Sequence, residues 1–187
     1  MKKILSLAAM ALICLSAGAQ QLARVNFSEL VALMPEMDKA REVMDASQKE
    51  AQETYAAMVE EYQGKATQYQ QKSASWTAAI RESKEKELMD MQGRLQEFQQ
   101  SISQELQQQQ AQLVSPINEK AQKAVTEIAK AKGLTVVFDF QQALYFDEAA
   151  VVDITPDARK ALNIPEGRTL ESLQAELAAQ QQAAAAK

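Results

Sequence analysis

The clearest repeating pattern in the chain is a set of aromatic residues spaced seven positions apart. They are Tyr55, Tyr62, Tyr69 and Trp76. Residues at this spacing return to the same side of an α-helix, and the surrounding sequence from 36 to about 115 contains no proline. The pattern predicts a long helix with an aromatic stripe along one side.

A second apolar register follows this stripe, in the alternating steps of three and four residues that a coiled-coil seam requires. Its members are Leu88, Met91, Leu95, Phe98 and Ile102. Between the two registers lies a cluster of hydroxyl residues, Ser73, Ser75 and Thr77, which favours a turn near residues 72–79. The two registers therefore predict two antiparallel helices that form a hairpin arm over residues 46–115.

Strand-like patterns lie at the two ends of the chain. Residues 23–27 alternate polar and apolar side chains, and residues 135–140 and 143–146 predict a β-hairpin joined by two glutamines. Residues 151–154 predict a further short strand. The predicted fold class is thus α+β and mostly α, with the long helical hairpin projecting from a small β body formed by the N- and C-terminal strands.

Helix ends are marked by capping residues and prolines. Ser28 is expected to cap a short helix that Pro35 stops, and Pro35 is expected to begin the next helix. Pro116 either occupies the first turn of a helix or kinks a longer one. Thr155 is expected to cap the last short helix of the body.

The first 19 residues are typical of a signal peptide. Two lysines precede an apolar run over residues 4–15, and Ala17-Gly18-Ala19 has the small-residue pattern of a cleavage site. The run is too short to span a bilayer as a helix, so the mature chain is expected to start at Gln20 and to be exported. Lipid modification at Cys14 is the alternative, although the preceding Ile13 is bulky.

These patterns divide the chain into five predicted parts. They are a signal peptide (1–19), the N-terminal part of the body (20–45), the arm (46–115), the C-terminal part of the body (116–163) and a low-complexity tail (164–187). The tail is rich in alanine and glutamine, and we expect it to be helical around its leucines and then to fray.

The composition argues against catalysis. The chain contains no histidine, and its one cysteine lies in the predicted signal peptide. Its five glycines are scattered, so no phosphate-binding loop is present, and the carboxylates Glu60 and Glu61 fall on a predicted solvated helix face. We therefore expect no enzymatic activity, no catalytic residues, no cofactor and no metal site.

The charge balance argues against nucleic acid and anionic membrane surfaces as partners. The chain has 20 basic and 25 acidic residues and a net charge of −5, and removal of Lys2 and Lys3 makes the mature chain more acidic. No other segment is apolar enough for stable membrane insertion.

The aromatic stripe has two interpretations. Residues at a seven-residue spacing usually pack against a partner helix, but tyrosine and tryptophan can place one edge in a seam and leave the other exposed. Methionines add adaptable apolar surface that suits varied partners. The predicted client-binding residues are Tyr55, Met58, Tyr62, Tyr69, Trp76, Leu88 and Met91.

Two glycines interrupt the predicted arm at similar distances from the turn. Gly64 and Gly93 each cost about 1 kcal/mol relative to alanine inside a helix. If they lie at one height they form a hinge in the arm. The alternative is that they allow close helix contact or are merely tolerated.

The layout resembles the Skp (OmpH-like) periplasmic chaperones over nearly the whole mature chain, up to about Asn163. The matching segments are Val25-Asn26-Phe27, Pro116-Ile117, Ala129-Lys130-Ala131-Lys132-Gly133-Leu134, Val136-Val137-Phe138-Asp139, Leu144-Tyr145 and Asp153-Ile154-Thr155. The long helical middle matches by pattern rather than by motif.

This resemblance implies a periplasmic homotrimer whose strands assemble into a shared β body, with three hairpins around a cavity that holds unfolded outer-membrane proteins without ATP. A sheet as small as the predicted one is unstable alone, which agrees with assembly. The predicted body contacts are Val25, Phe27, Val136, Phe138, Leu144, Phe146 and Ile154. The best-known members are basic, whereas this arm is acidic, so no lipopolysaccharide site is carried over.

Two functions follow from these observations. The first is an ATP-independent holdase that keeps unfolded outer-membrane proteins from aggregating. The alternative is a structural or adaptor coiled coil that binds one defined envelope partner through the hairpin tip around Trp76.

Overall fold

A computed structural model describes residues 21–185, so the predicted signal peptide and its cleavage site lie outside the described residues. The elements, in chain order, are β1 (Leu22–Val25), α1 (Phe27–Leu33), α2 (Pro35–Lys72), a 3-10 turn (Ser73–Ser75), α3 (Ala78–Ala131), β2 (Val136–Asp139), 3-10 turns at Phe140–Gln142 and Glu148–Ala150, β3 (Val151–Asp153), α4 (Thr155–Ala161) and α5 (Leu170–Ala185).

The chain forms two compact units. The hairpin unit comprises Asp38–Pro116, and the sheet unit comprises the described residues up to Met37 and from Ile117 onward. Helices α2 and α3 each begin in one unit and end in the other. The predicted α+β, mostly α fold with a long helical hairpin and a small sheet is confirmed.

The sheet unit contains a three-stranded sheet in the order β2-β1-β3. Both outer strands run parallel to β1, with Leu22 opposite Val136 on one side and Val151 on the other. The predicted β-hairpin over 135–146 is therefore wrong. Its second half is not a strand, because the chain leaves β2 through a 3-10 turn that Asp139 caps by accepting a hydrogen bond from the Gln141 N–H.

The core of the sheet unit lies on one face of β1. Along this strand Ala23 and Val25 are buried, whereas Leu22 and Arg24 are half-buried on the opposite face. This alternation follows from the two-residue period of a strand. The largest fully buried side chains are Leu30, Leu33, Met34, Ile154 and Leu162.

The start of α1 differs from the prediction. Asn26, not Ser28, is the N-cap, since its side-chain oxygen accepts a hydrogen bond from the Glu29 N–H at 3.2 Å. Phe27 is consequently the first residue of the helix and not the last residue of a strand. Both asparagine and serine favour this position, but Asn26 is buried and directly follows the central strand.

The start of α4 also differs. Ile154 is the N-cap position without a side-chain cap, and Thr155 is the first helical residue. The Thr155 hydroxyl instead accepts a hydrogen bond from the backbone N–H of Asn26 at 3.1 Å, and the Thr155 N–H donates to Asp153 Oδ1 at 2.9 Å. Thr155 thus ties the two ends of the described chain together, 129 positions apart.

The prolines of the long helices take distinct positions. Pro35 is the first residue of α2, as predicted, where its missing N–H costs nothing. Pro116 lies inside α3, so it interrupts a longer helix rather than beginning a new one. A helix 54 residues long can tolerate one lost backbone hydrogen bond, because the turns on either side remain intact.

Candidate functional site

The hairpin unit has almost no buried core. Among the described apolar side chains of Asp38–Pro116, the buried ones are Ala40 and Met91, each 3% exposed. The other buried apolar side chains of the described chain belong to the sheet unit. The hairpin therefore consists of two helices joined by a thin seam, in which most large apolar side chains are only partly buried.

Three pairs of side chains show how the two helices run. Tyr55 stacks on Phe98 with ring centroids 6.4 Å apart, and Gln109 donates a hydrogen bond to Ser47 at 2.9 Å. Nearer the turn, Lys65 pairs with Glu87. As one residue number rises, its partner's falls, so the helices are antiparallel.

The predicted stripe residues lie half in the seam and half in solvent. Tyr55, Met58, Tyr62, Tyr69, Trp76 and Leu88 are all of intermediate burial. At the tip, Tyr69 and Trp76 make an edge-to-face contact with centroids 5.9 Å apart. These rings keep a free edge while their other edge packs within the hairpin.

Met91 differs from the rest of this set because it is buried in the hairpin unit. It packs between the helices and offers no surface in this conformation. A partner can reach it only if α2 and α3 separate. Met89, on the same helix, is 65% exposed and was not among the predicted residues.

A polar cluster bridges the helices near Gly64. Glu87 accepts a hydrogen bond from Lys65 across the seam and another, at 2.8 Å, from Lys84 on its own helix. The Lys65 ammonium also lies 3.5 Å from the Glu61 carboxylate. The Lys65 and Lys84 ammonium groups lower the pKa of Glu87 to about 2. The pKa of Lys65 is raised, mainly by its hydrogen bond to Glu87.

Tyr69 adds a second polar link across the seam. Its hydroxyl donates a hydrogen bond to Glu85, which raises the pKa of the phenol. These polar links were not predicted from the sequence. With a turn near residue 75, antiparallel pairing brings Lys65 near Glu87, because the two lie about equally far from the turn. Opposite charges at equal distances from the turn could therefore have predicted this pair.

The two arm glycines lie within about one helical turn of each other in height. The pairings of Lys65 with Glu87 and Tyr69 with Glu85 place Gly64 level with residues near 88–90, about one helical turn from Gly93. No atom lies within 4 Å of the position that a Cβ would take at either glycine. Close helix contact therefore does not require them, and the hinge stays a prediction.

The sheet unit carries an aromatic cluster around Arg24 on the face of β1 opposite the core. The guanidinium lies 5.3 Å from the ring centroids of both Phe140 and Phe146, and Phe146 also meets Phe138 edge-on at 5.5 Å. Arg24 Nη1 pairs with Glu148 and Nη2 with Asp153, each at 3.2 Å. No local pattern predicts this cluster, because Arg24 lies far from its partners in the chain.

Next to this cluster lies an exposed apolar surface. Leu144 is 106% exposed and Tyr145 is 86% exposed, and β2 adds Val136, which is 48% exposed on the same face as Leu22. An open depression of about 550 Å³ lies beside them, between Leu22, Phe146 and Val151.

The residues predicted to form contacts in the body differ in their burial. Val25 and Ile154 are buried within the protomer, and Val136 and Leu144 are exposed. Phe27, Phe138 and Phe146 are of intermediate burial.

Within residues 21–185 no group of three or more acidic, cysteine or histidine side chains is placed to hold a metal ion. In the same part of the chain no helix is both long and apolar enough to cross a membrane.

The described residues thus form a small parallel sheet and a long helical hairpin whose apolar seam is thin. A family model described as "Outer membrane protein (OmpH-like)" matches residues 21–162, and the chain belongs to this family. At the level of the family this indicates a chaperone of outer-membrane proteins and not an enzyme. Comparison with curated proteins gave no match.

Proposed function

We propose that this protein is an ATP-independent periplasmic holdase that binds unfolded outer-membrane proteins and prevents their aggregation. The observation that carries the proposal is the hairpin unit, where aromatic and methionine side chains are half-exposed along two helices with only two buried apolar residues. Such a surface suits many weak contacts with an extended apolar chain.

The first test is suppression of aggregation. An unfolded outer-membrane β-barrel protein is diluted from urea into buffer without nucleotide, with and without the mature chain, and light scattering is followed. A holdase suppresses scattering at about one assembled chaperone per client. Full aggregation in the presence of well-folded protein contradicts the proposal.

A triple variant tests the apolar stripe while sparing the ring contacts of the seam. Met58, Tyr62 and Leu88 are half-exposed, and all three are changed to glutamine. Each contact contributes a factor of about two to the affinity for the client. The triple variant should therefore bind clients about tenfold more weakly, while each single variant should change the affinity little. The matched control changes three exposed glutamines of the same helices, Gln52, Gln63 and Gln92, to alanine.

The alternative function, an adaptor for one envelope partner, is distinguished at the hairpin tip. Trp76 packs edge-on against Tyr69 and keeps part of its ring accessible. An adaptor that recognises this tip loses its partner with Trp76→Ala alone, whereas the holdase loses little. A single saturable partner lost with this one change would replace the holdase proposal.

We also propose that the protein assembles as a trimer through the outer face of the sheet. The support is the apolar surface of Leu144, Tyr145 and Val136, on a sheet with two short outer strands. Leu144→Asp together with Tyr145→Asp should convert the trimer to single protomers, as measured by light-scattering mass. Ala149→Asp, at an exposed position in the same loop, is the control.

Export with removal of the first 19 residues is part of the same proposal. The intact mass of protein recovered from the periplasm should correspond to a chain that begins at Gln20. A lipid-modified Cys14 would instead leave a longer chain with the mass of its acyl groups.

A further inference from the structure

The family match ends at residue 162, but the ordered fold does not. Helix α4 ends with a Schellman motif, in which the Asn163 N–H donates to the Lys160 carbonyl and the Ile164 N–H donates to the Arg159 carbonyl at 2.9 Å. Asn163 takes the left-handed conformation this motif needs, with φ of 55°. The motif directs Ile164 into the core, where it is 6% exposed.

One guanidinium fixes the turn that follows. Arg159 Nη1 donates to Glu29 Oε1 at 3.1 Å, and Nη2 donates to the carbonyls of Pro165 and Arg168. The planar fork of arginine allows these contacts to be made at once. Arg159 therefore joins α1, α4 and the turn before α5.

Helix α5 then begins with a reciprocal cap. The Ser172 N–H donates to Thr169 Oγ1 at 3.1 Å, and the Thr169 N–H donates to Ser172 Oγ at 3.0 Å. The helix contacts α1, and its Leu173 is 6% exposed. The segment predicted to be helical around its leucines is thus packed on the helix that directly follows the central strand.

We propose that residues 163–185 form a strap that closes the core of the sheet unit and sets the stability of its central strand. Helix α5 of the strap contacts α1, and the Arg159 fork joins Glu29 of α1 to the strap's carbonyls at Pro165 and Arg168. Helix α1 is continuous with β1 through Asn26, which caps α1 and bonds to Thr155. Loosening the strap therefore loosens β1, although no strap residue belongs to the sheet.

This proposal concerns a single protomer and does not depend on client binding or on assembly. Its opposite is a tail that docks on a sheet unit which is stable without it. The two models differ in whether the amides of β1 stay protected when residues 163–185 detach. Hydrogen exchange measures this protection segment by segment.

The experiment compares Leu173→Ala with Leu170→Ala in the full mature chain, by hydrogen exchange with mass spectrometry. Leu173 is buried, whereas Leu170 is 36% exposed on the same helix, so the control makes the same change in the same element. Leu173→Ala should speed exchange of peptides from β1 and α1 about thirtyfold or more. Leu170→Ala should change it less than about twofold, and peptides from the hairpin unit should be unaffected in both.

A second pair of variants tests the Arg159 fork. Arg159→Lys keeps a charge for Glu29 but cannot hold both carbonyls, so it should speed exchange in residues 163–172 and, to a smaller degree, in β1. Lys160→Arg, at an exposed neighbouring position, is the control. If Leu173→Ala speeds exchange only within residues 163–185 and leaves β1 unchanged, the strap proposal is wrong, whatever the aggregation assay shows.

Discussion

At the scale of single residues, the fold depends on a few polar side chains whose partners are distant in sequence. Asn26 is the clearest case, because its side chain caps α1, its backbone N–H bonds to Thr155, and it is only 7% exposed. Arg24 has a similar position on the outer face, where it joins two carboxylates and two aromatic rings.

Asn26→Ala should lower the free energy of unfolding by about 1 kcal/mol or somewhat more, since a buried cap is lost. Ser28→Ala should be nearly neutral, because Ser28 is exposed and does not cap the helix. Urea unfolding followed by circular dichroism measures both. Equal effects of the two changes would mean that the cap is at Ser28 after all.

The Glu87 cluster predicts a pH dependence of the hairpin. The pKa of Glu87 is about 2 in the folded chain, below its ordinary value of 4.5. A carboxyl with a depressed folded pKa adds stability above its unfolded pKa and loses it as pH falls through the folded one. The hairpin should therefore weaken between about pH 4.5 and about pH 2.

The measurement is the thermal midpoint of the helical signal as a function of pH. Glu87→Gln should lower the midpoint at neutral pH and reduce the fall at acid pH. Glu82→Gln, at an exposed carboxylate of the same helix, should behave as the original chain does. An unchanged acid fall in Glu87→Gln would assign the effect to other carboxylates.

At the scale of elements, the long helices combine strong local signals with weak packing. Proline begins α2, and no further proline occurs until Pro116. The seam between the helices buries little, so the hairpin depends on helix propensity and on cross-seam pairs such as Tyr55 with Phe98. Small changes in propensity should thus have visible effects.

Gly64→Ala and Gly93→Ala should each stabilise the hairpin by about 1 kcal/mol, because a methyl group at either site meets no atom within 4 Å. Thermal unfolding measures this, with Ala57→Gly, at an exposed site of α2, as the reverse control. If the two glycines act as a hinge, the double variant Gly64→Ala/Gly93→Ala should also bind clients more weakly. Stabilisation with unchanged holding would show that the glycines are simply tolerated.

At the scale of the whole molecule, the charge balance decides which forces can capture a client. The chain has a net charge of −5, so long-range attraction cannot draw in acidic polypeptides. The client contacts that we propose for the hairpin are apolar and short-range, and salt does not screen such contacts.

Client holding should therefore change less than about twofold between about 50 mM and about 500 mM NaCl. Aggregation of the client alone at each salt concentration provides the control. A steep loss of holding with salt would instead mean that basic groups make the main contacts.

Local sequence patterns were sufficient to predict the helical part of this protein. The seven-residue aromatic spacing, the absence of proline and the second apolar register predicted two antiparallel helices, since a helix is built from contacts within four residues of the chain. The same local patterns predicted strands at both ends of the chain and the position of Pro35. They also led to the resemblance that the family match confirms.

The way in which the N-terminal and C-terminal segments pack together could be seen only in the tertiary structure. The parallel order of β2, β1 and β3, the choice of Asn26 over Ser28, the cluster on Arg24 and the strap all join residues that lie far apart in the chain. Local propensity cannot rank such pairings, because several partners satisfy each donor equally well until the core is closed. The hairpin was therefore predictable from the sequence, and the arrangement of the sheet unit was not.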